Sequence, residues 1–238
     1  IHRVTSNVSL SSEDARIAMT AMLSGQASEI QIAAFLVALK MKGETAAELA
    51  GFARAMREHM IVVDTGLDVI DSSGTGGDGS GTFNISTATA LVLSGAGAKV
   101  AKHGNRSLAT SSGSADVLEA LGVRIALTPD EARSAIQQIG IGFLFAPNLH
   151  PSMKHAQPVR RELKIRTAMN FLGPLCNPAR AQAQLIGAPS SEIAALMAHA
   201  LAELGTKRSF VVSGHPGLDE VSTMGPTDVY EVVGNRVQ

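Results

Sequence analysis

From about Leu67 onward the sequence settles into one rhythm, and that rhythm narrows the possible folds more than any other feature. Short runs rich in β-branched residues, several of them ending in glycine, alternate with helical stretches of about ten residues. "DVIDSSG" reads as a strand, "NISTATALVLSGAG" as a helix and "AKVAKHG" as a strand. "SADVLEALG" follows as a helix capped by Ser114, then "VRIAL" as a strand. "TPDEARSAIQQIG" is a helix with Thr128 and Glu131 as a capping box. "IGFLFAP" is a strand, "SEIAALMAHALAELG" a helix and "RSFVVSG" a strand. Parallel strands need a crossover between them, and a helix is the usual one. The expectation is an α/β fold with a mostly parallel sheet and helices on its faces.

The first 60 residues follow a different period. Three segments carry apolar residues at spacings of three and four, each with a start and a stop signal. The first begins at Ser11 or Ser12 and stops at Gly25. The second begins at Ser28 and stops at Gly43. The third begins at Thr45, with Glu48 completing a capping box. These predict a small helical bundle. A stretch with four prolines, from Pro151 to Pro178, interrupts the α/β rhythm and reads as an excursion back to those helices. The chain closes on "DVYEVVGNRVQ", a strand, a turn and the start of another strand, which carries the expectation that the native protein continues.

Composition removes several classes of function. Lys+Arg is 20 and Asp+Glu 21, for a net charge of -1, so no overall basic excess draws the chain to nucleic acid or to an anionic membrane. Aromatic residues are 3%, too few for a base-stacking platform. No apolar run approaches the ~20 residues of a membrane helix. The single cysteine, Cys176, cannot form an internal disulfide, which fits a cytoplasmic setting.

In a parallel α/β sheet, ligands sit beyond the carboxyl ends of the strands, and three segments there carry chemistry. "DSSGTGGDGSGTFNIST" holds five glycines between Gly74 and Gly81. Glycine lets backbone amides approach an anion, and the helix that follows adds its dipole. Asn84, Ser86 and Thr87 add donors. The stretch is neither a Walker loop nor a dinucleotide fingerprint, and taken alone it also fits a plain strand-to-helix turn. "KHGNRSLATSSGSAD" sets Lys102, His103 and Arg106 among Asn105, Ser107, Thr110 and Ser114, which suits a second phosphate, or a solvated polar loop. In "SGHPGLDEVSTMGPT", Asp219 and Glu220 offer hard oxygen ligands for Mg²⁺ shared with substrate phosphates, or form an acidic turn. Together the three point to a phosphorylated sugar donor. His2, His59, His150, His155, His199 and His215 are scattered and read as surface or core residues.

"GTGGDGSGTFNIST", "KHGNRSLATSSGSADVLEALG", "HPSMKHAQPVRRELKIRTAMNFLGPLCNPA" and "LDEVSTMGPT" resemble, in order and over essentially the whole chain, the anthranilate phosphoribosyltransferase family of tryptophan biosynthesis. One small departure is Ser72-Ser73 before Gly74, where the family more often has apolar residues. The resemblance implies a small discontinuous helical domain, residues 1–65 joined in space by about 163–180. It implies a larger α/β domain over 66–162 and 181–238. It also implies transfer of the phosphoribosyl group of phosphoribosyl pyrophosphate (PRPP) to anthranilate, and a homodimer through the helical domain.

Carried over by position, Gly74, Gly77, Asp78, Thr82, Asn84, Ile85, Ser86 and Thr87 would hold PRPP. So would Lys102, His103, Gly104, Asn105, Arg106, Ser107, Thr110 and Ser114. Lys102 and Arg106 would stabilise charge in the transition state. Gly74, His103, Asn105 and Arg160 would contact anthranilate, and Ser86, Asp219 and Glu220 would ligate Mg²⁺. Two other readings remain open at this point. A nucleoside phosphorylase of the same fold would carry Lys-Met-Ser-Gly-Arg where this chain has Lys-His-Gly-Asn-Arg. A non-catalytic relative that binds nucleic acid would need a basic groove.

Overall fold

A computed structural model describes residues 1–76, 81–107 and 112–238. The N-terminal part is helical: α1 (His2–Thr5), α2 (Ser12–Leu23), α3 (Glu29–Lys42) and α4 (Ala46–His59). The three longer helices begin where a side chain can take an orphan amide. Ser11, Ser28 and Thr45 accept from Asp14, Gln31 and Glu48, and Gln31 and Glu48 return the bond. In α3 the buried residues are Ile32, Phe35, Leu36 and Leu39, one face at helical spacing. Gly51 lets α4 cross α2 closely, because a Cβ there would lie 2.1 Å from the Ser12 carbonyl oxygen.

The remainder alternates strand and helix. In chain order come β1 (Ile70–Gly74), α5 (Ile85–Gly95), β2 (Val100–Gly104), α6 (Ser114–Ala120), α7 (Pro129–Ile139) and β3 (Ile141–Phe145). Then come α8 (Ala146–Leu149), α9 (Gln157–Leu163), α10 (Leu172–Leu175), β4 (Ala183–Gly187), α11 (Ser191–Leu204), β5 (Thr206–Gly214), β6 (Thr227–Gly234) and β7 (Arg236–Val237). One sheet runs in the order β3-β2-β1-β4-β5-β6-β7. The first five of these pair in parallel, and β6 and β7 add antiparallel. The chain moves outward from β1 to β3, then returns to β1's other side with β4. That reversal opens a crevice beyond the carboxyl ends of β1 and β4, where Gly74 and Gly187 stand side by side in register.

The excursion between β3 and β4 packs on the helical part: α9 lies against α3, and α10 against α4. Ala156, Val159, Leu172 and Leu175 share one buried cluster with Met19, Leu36 and Phe52. Burying one such side chain contributes about 1.5–3 kcal/mol, so this contact is a substantial tie between the two parts.

Two local readings change. Val123–Leu127 is not a strand, since it pairs with no neighbour among the described residues. Its burial is satisfied instead by Ile125 packing with Ala115, Leu118 and Phe143. The cap of α6 is Gly113, whose amide donates to Asp116 Oδ2 at 2.8 Å, and Ser114 is the helix's first residue.

Candidate active site

Four of the five parallel strands end in glycine: Gly74, Gly104, Gly187 and Gly214. Each is small because something lies against it. An alanine Cβ at Gly74 would stand 2.7 Å from Asp219 Oδ2. At Gly187 it would stand 1.6 Å from the Asp219 carbonyl oxygen, at Gly214 2.4 Å from the Glu220 carbonyl oxygen, and at Gly104 2.1 Å from Ser114 Oγ. The loop between β5 and β6 therefore lies across the ends of β1, β4 and β5. Its Asp219 is buried, and its Oδ2 accepts the Gly76 amide at 2.8 Å.

Under this loop lies Lys102, 3% exposed. Its Nζ donates to the Ser72 carbonyl at 2.6 Å and to Ser86 Oγ at 3.3 Å. Burial pushes the ammonium's pKa down, and the carboxylates of Asp71 and Glu220 oppose that. Asp71 is fully buried. Burial pushes its carboxyl up, while Lys102 and the donors at Asn177, His103 and Ser72 pull it down. Asn177 Nδ2 reaches Asp71 Oδ2 at 2.8 Å and the Ala101 carbonyl at 2.9 Å, and the His103 amide reaches Asp71 Oδ1 at 3.2 Å. This network fixes β1 to β2 and sets the cation between the first two loops.

His103 continues the floor. Its Nδ1 lies 3.1 Å from the Gly173 carbonyl, and its ring sits 5.1 Å from that of His150. Burial lowers His103 to about 4 and His150 to about 3, so both imidazoles are neutral near pH 7. Among the described residues the Nε2 atoms of both rings are buried and find no hydrogen-bond partner, and the same holds for the hydroxyls of Ser73, Thr75 and Thr87. Unpaired buried polar atoms are costly, and a polar ligand reaching these groups would relieve that cost.

The structure thus gathers Gly74, Ser86, Lys102, Asp219 and Glu220. Asn84 Nδ2 reaches Ser112 Oγ at 3.2 Å, joining the first two loops, and Ile85 and Thr87 lie in the first turn of α5. Thr82 is exposed on the approach to α5. Gly104 and Asn105 hold the start of the second loop, with the Asn105 carbonyl accepting the Ala115 amide at 3.2 Å and Ser114 Oγ at 3.4 Å. The Ser107 amide donates to Asp116 Oδ2 at 3.1 Å. Arg106 is turned to α6, where it meets Asp116 at 3.0 Å and Glu119 at 2.8 Å. Arg160, half-buried on α9, donates to Gln157 Oε1 at 3.4 Å. Gly77, Asp78 and Thr110 lie outside the described residues.

Sequence reasoning missed three contributors: Arg166, Asp71 and Asn177. Arg166 donates to the Gly76 and Thr75 carbonyls and so pins the glycine loop from the far side. Asp71 and Asn177 meet across 106 positions. His150, read as a surface or core residue, is core and lies beside His103. Only the Pro-rich excursion signalled that distant residues return here.

The donor set fits a magnesium ion shared with phosphates. Ser86 Oγ lies 3.3 Å from Lys102 Nζ, and Asp219 and Glu220 add hard oxygens on the neighbouring loop. Among the described residues no group of three or more His, Cys, Asp or Glu forms a protein-only cage. Mg²⁺ commonly takes one or two carboxylates and leaves its other positions to water and phosphate.

Comparison with known proteins bears on the family and the fold. A model of the helical bundle domain of a glycosyl transferase family matches residues 1–60, and a model of that family's a/b domain matches residues 66–238. The chain is 57% identical to the anthranilate phosphoribosyltransferase of Solibacter usitatus, over 99% of this chain and 70% of that relative. The crystal structure of anthranilate phosphoribosyltransferase from Thermus thermophilus superposes with a TM-score of 0.92 at 44% identity, covering 100% of this chain and 72% of that one. The Saccharomyces cerevisiae enzyme, in complex with PRPP and Mg, superposes with a TM-score of 0.87 at 34% identity, covering 93% and 66%.

Proposed function

The chain belongs to this glycosyl transferase family, among its anthranilate phosphoribosyltransferases, and on that premise we propose that it transfers the phosphoribosyl group of PRPP to anthranilate in tryptophan biosynthesis. The products are N-(5-phosphoribosyl)-anthranilate and pyrophosphate. One observation carries the site assignment: the Asp219–Glu220 loop is packed on the glycine ends of three parallel strands, with Glu220 near enough to the buried Lys102 to favour its charge.

In this reading the backbone around Gly74 to Thr87 takes the diphosphate and ribose, and the second loop, from Lys102 to Ser114, continues that cradle. The bond from ribose C1 to the pyrophosphate oxygen breaks as the anthranilate nitrogen bonds to C1. The electron pair leaves with pyrophosphate, and the amine's surplus proton passes to solvent. Ser86, Asp219 and Glu220 would hold Mg²⁺, whose charge would offset that of the leaving group. Lys102 does the same from below, in a dry setting where a fixed charge acts strongly. An aromatic amine is unprotonated at neutral pH, so no strong base is required. Arg160 offers a planar fork to the anthranilate carboxylate, which its present partner Gln157 occupies only weakly. Gly74, His103 and Asn105 complete that side. Held geometry then supplies much of the rate.

The proposal includes a cytoplasmic setting. It also includes a division into a helical unit, 1–65 with about 163–180, and an α/β unit over 66–162 and 181–238. It further includes a homodimer through the helical unit, supported by Ile30 and Met41, each 83% exposed on α3. The test is loss of anthranilate fluorescence with PRPP and Mg²⁺, with EDTA as control. Loss that needs all three components supports the reading. A folded sample that binds no PRPP overturns it.

A further inference from the structure

A cleft of about 420 Å³ opens at the opposite edge of the sheet from the glycine loops, where β4 and β5 begin and α4 and α11 end. Three guanidinium groups line it: Arg54, Arg57 and Arg180. Among the described residues none of them is in a salt bridge, although Arg54 lies near enough to Glu13 to help hold that carboxyl's pKa down. Arg54 donates to Ser12 Oγ and to the Glu203 carbonyl, and Arg57 Nε donates to the Leu175 carbonyl at 2.8 Å, all neutral acceptors. The Arg180 side chain donates to none of the described residues, and the residue sits exposed at a positive φ of 52°. The one carboxylate in the wall, Glu58, is paired with Arg16 at 3.0 Å.

Three unpaired guanidiniums around one space repel each other, and half-buried Arg57 is also desolvated. Its pKa is lowered by burial, with Arg180 and Arg54 adding to the effect. A chain does not hold such a cluster cheaply without a counter-charge. Guanidinium forks match the paired oxygens of phosphate groups. The rest of the wall is Gln182 and Gln184 at the start of β4, with Ala181, Leu204 and Gly205.

We propose that this cleft is a second anion site, taking a small multivalent oxyanion of the phosphate class on Arg54, Arg57 and Arg180. It is separate from the strand-end site and does not rest on the transferase reading. Because α4 belongs to the helical part and β4 and β5 to the sheet, an occupant would bridge the two.

Crystals of the protein soaked in sodium tungstate, a heavy phosphate analogue, test this by anomalous scattering. The expected result is density between the Arg57 and Arg180 guanidiniums, lost in Arg57→Gln/Arg180→Gln and reduced in Arg180→Gln. The single variant guards against misfolding, since Arg180's side chain bonds nothing described. Parallel soaks in inorganic phosphate and pyrophosphate then tell a monophosphate occupant from a diphosphate one. Density absent from the three arginines in the wild type, or undiminished in both variants, overturns the proposal.

Discussion

Replacing Gly187 with alanine tests whether the strand-end glycines exist to seat the carboxylate loop. The new Cβ would begin 1.6 Å from the Asp219 carbonyl oxygen. A carbon and an oxygen without a covalent bond rest at about 3.3 Å or more, so the loop must retreat by roughly 1.7 Å. Overpacking of this kind costs about 1–3 kcal/mol, a fall in Tm of roughly 2–12 °C for a domain of this size. That leaves a folded protein. The catalytic effect should be larger, because a misplacement of about 1 Å costs on the order of 100-fold in rate. We expect kcat/KM for PRPP, followed by anthranilate fluorescence, to fall at least about 100-fold. Gly95→Ala is the control: it lies in α5 with nothing within 4 Å of its would-be Cβ. Wild-type kcat/KM in Gly187→Ala would refute the reasoning, since the loop's position would then not matter to the chemistry.

Arg160→Ala should raise KM for anthranilate while leaving KM for PRPP within about twofold, and Asp219→Asn with Glu220→Gln should do the reverse and lose the response to added Mg²⁺. Steady-state kinetics with each substrate varied decides between them, and equal small effects on both substrates would count against the assignment. Stability should fall with acid. His103 and His150 titrate at about 4 and about 3 when folded and near 6.5 when unfolded, so the unfolded chain binds more protons below pH 6.5. Their contribution is complete above pH 6.5 and fades as pH drops toward 4, by up to about 1.4 kcal/mol per pH unit for each ring. Urea unfolding at pH 7 and pH 5 measures this, and equal stabilities would refute it. Glu48→Ala should cost about 3–5 kcal/mol, because fully buried Glu48 accepts from Lys42, Thr45 and the Leu10 amide. Thermal unfolding of the variant reads that loss.

Local chemistry made much of this molecule legible. Ser28, Thr45 and Thr128 announced their helices because capping needs only three residues of context. Gly74, Lys102 and Asp219 could be placed together because parallel strands bring all their carboxyl ends to one edge, whatever separates them in sequence. The misses were tertiary. "AQLIG" forms β4, yet within it only Ile186 is β-branched, and its Gln184 is buried because Nε2 finds the Pro174 carbonyl at 2.8 Å. "VRIAL" has the composition of a strand, but propensity yielded to packing of Ile125 beneath α6. No local signal joined Asp71 to Asn177, or aimed Arg166 at the glycine loop.

The bond from the Gly76 amide to Asp219 Oδ2 has a thermodynamic meaning of its own. The first amide of the glycine loop already holds an oxyanion, supplied by the chain itself. If the loop is the proposed phosphate cradle, an incoming phosphate oxygen would enter by exchange, and its apparent affinity would be a difference between two acceptors. Stray monovalent anions gain little from such a trade. A ligand that brings a cation gains more, since the evicted carboxylate has somewhere to go. On that proposal the resting loop would be an internal competitor, one that tilts the site toward metal-bearing polyphosphates before any substrate contact is made.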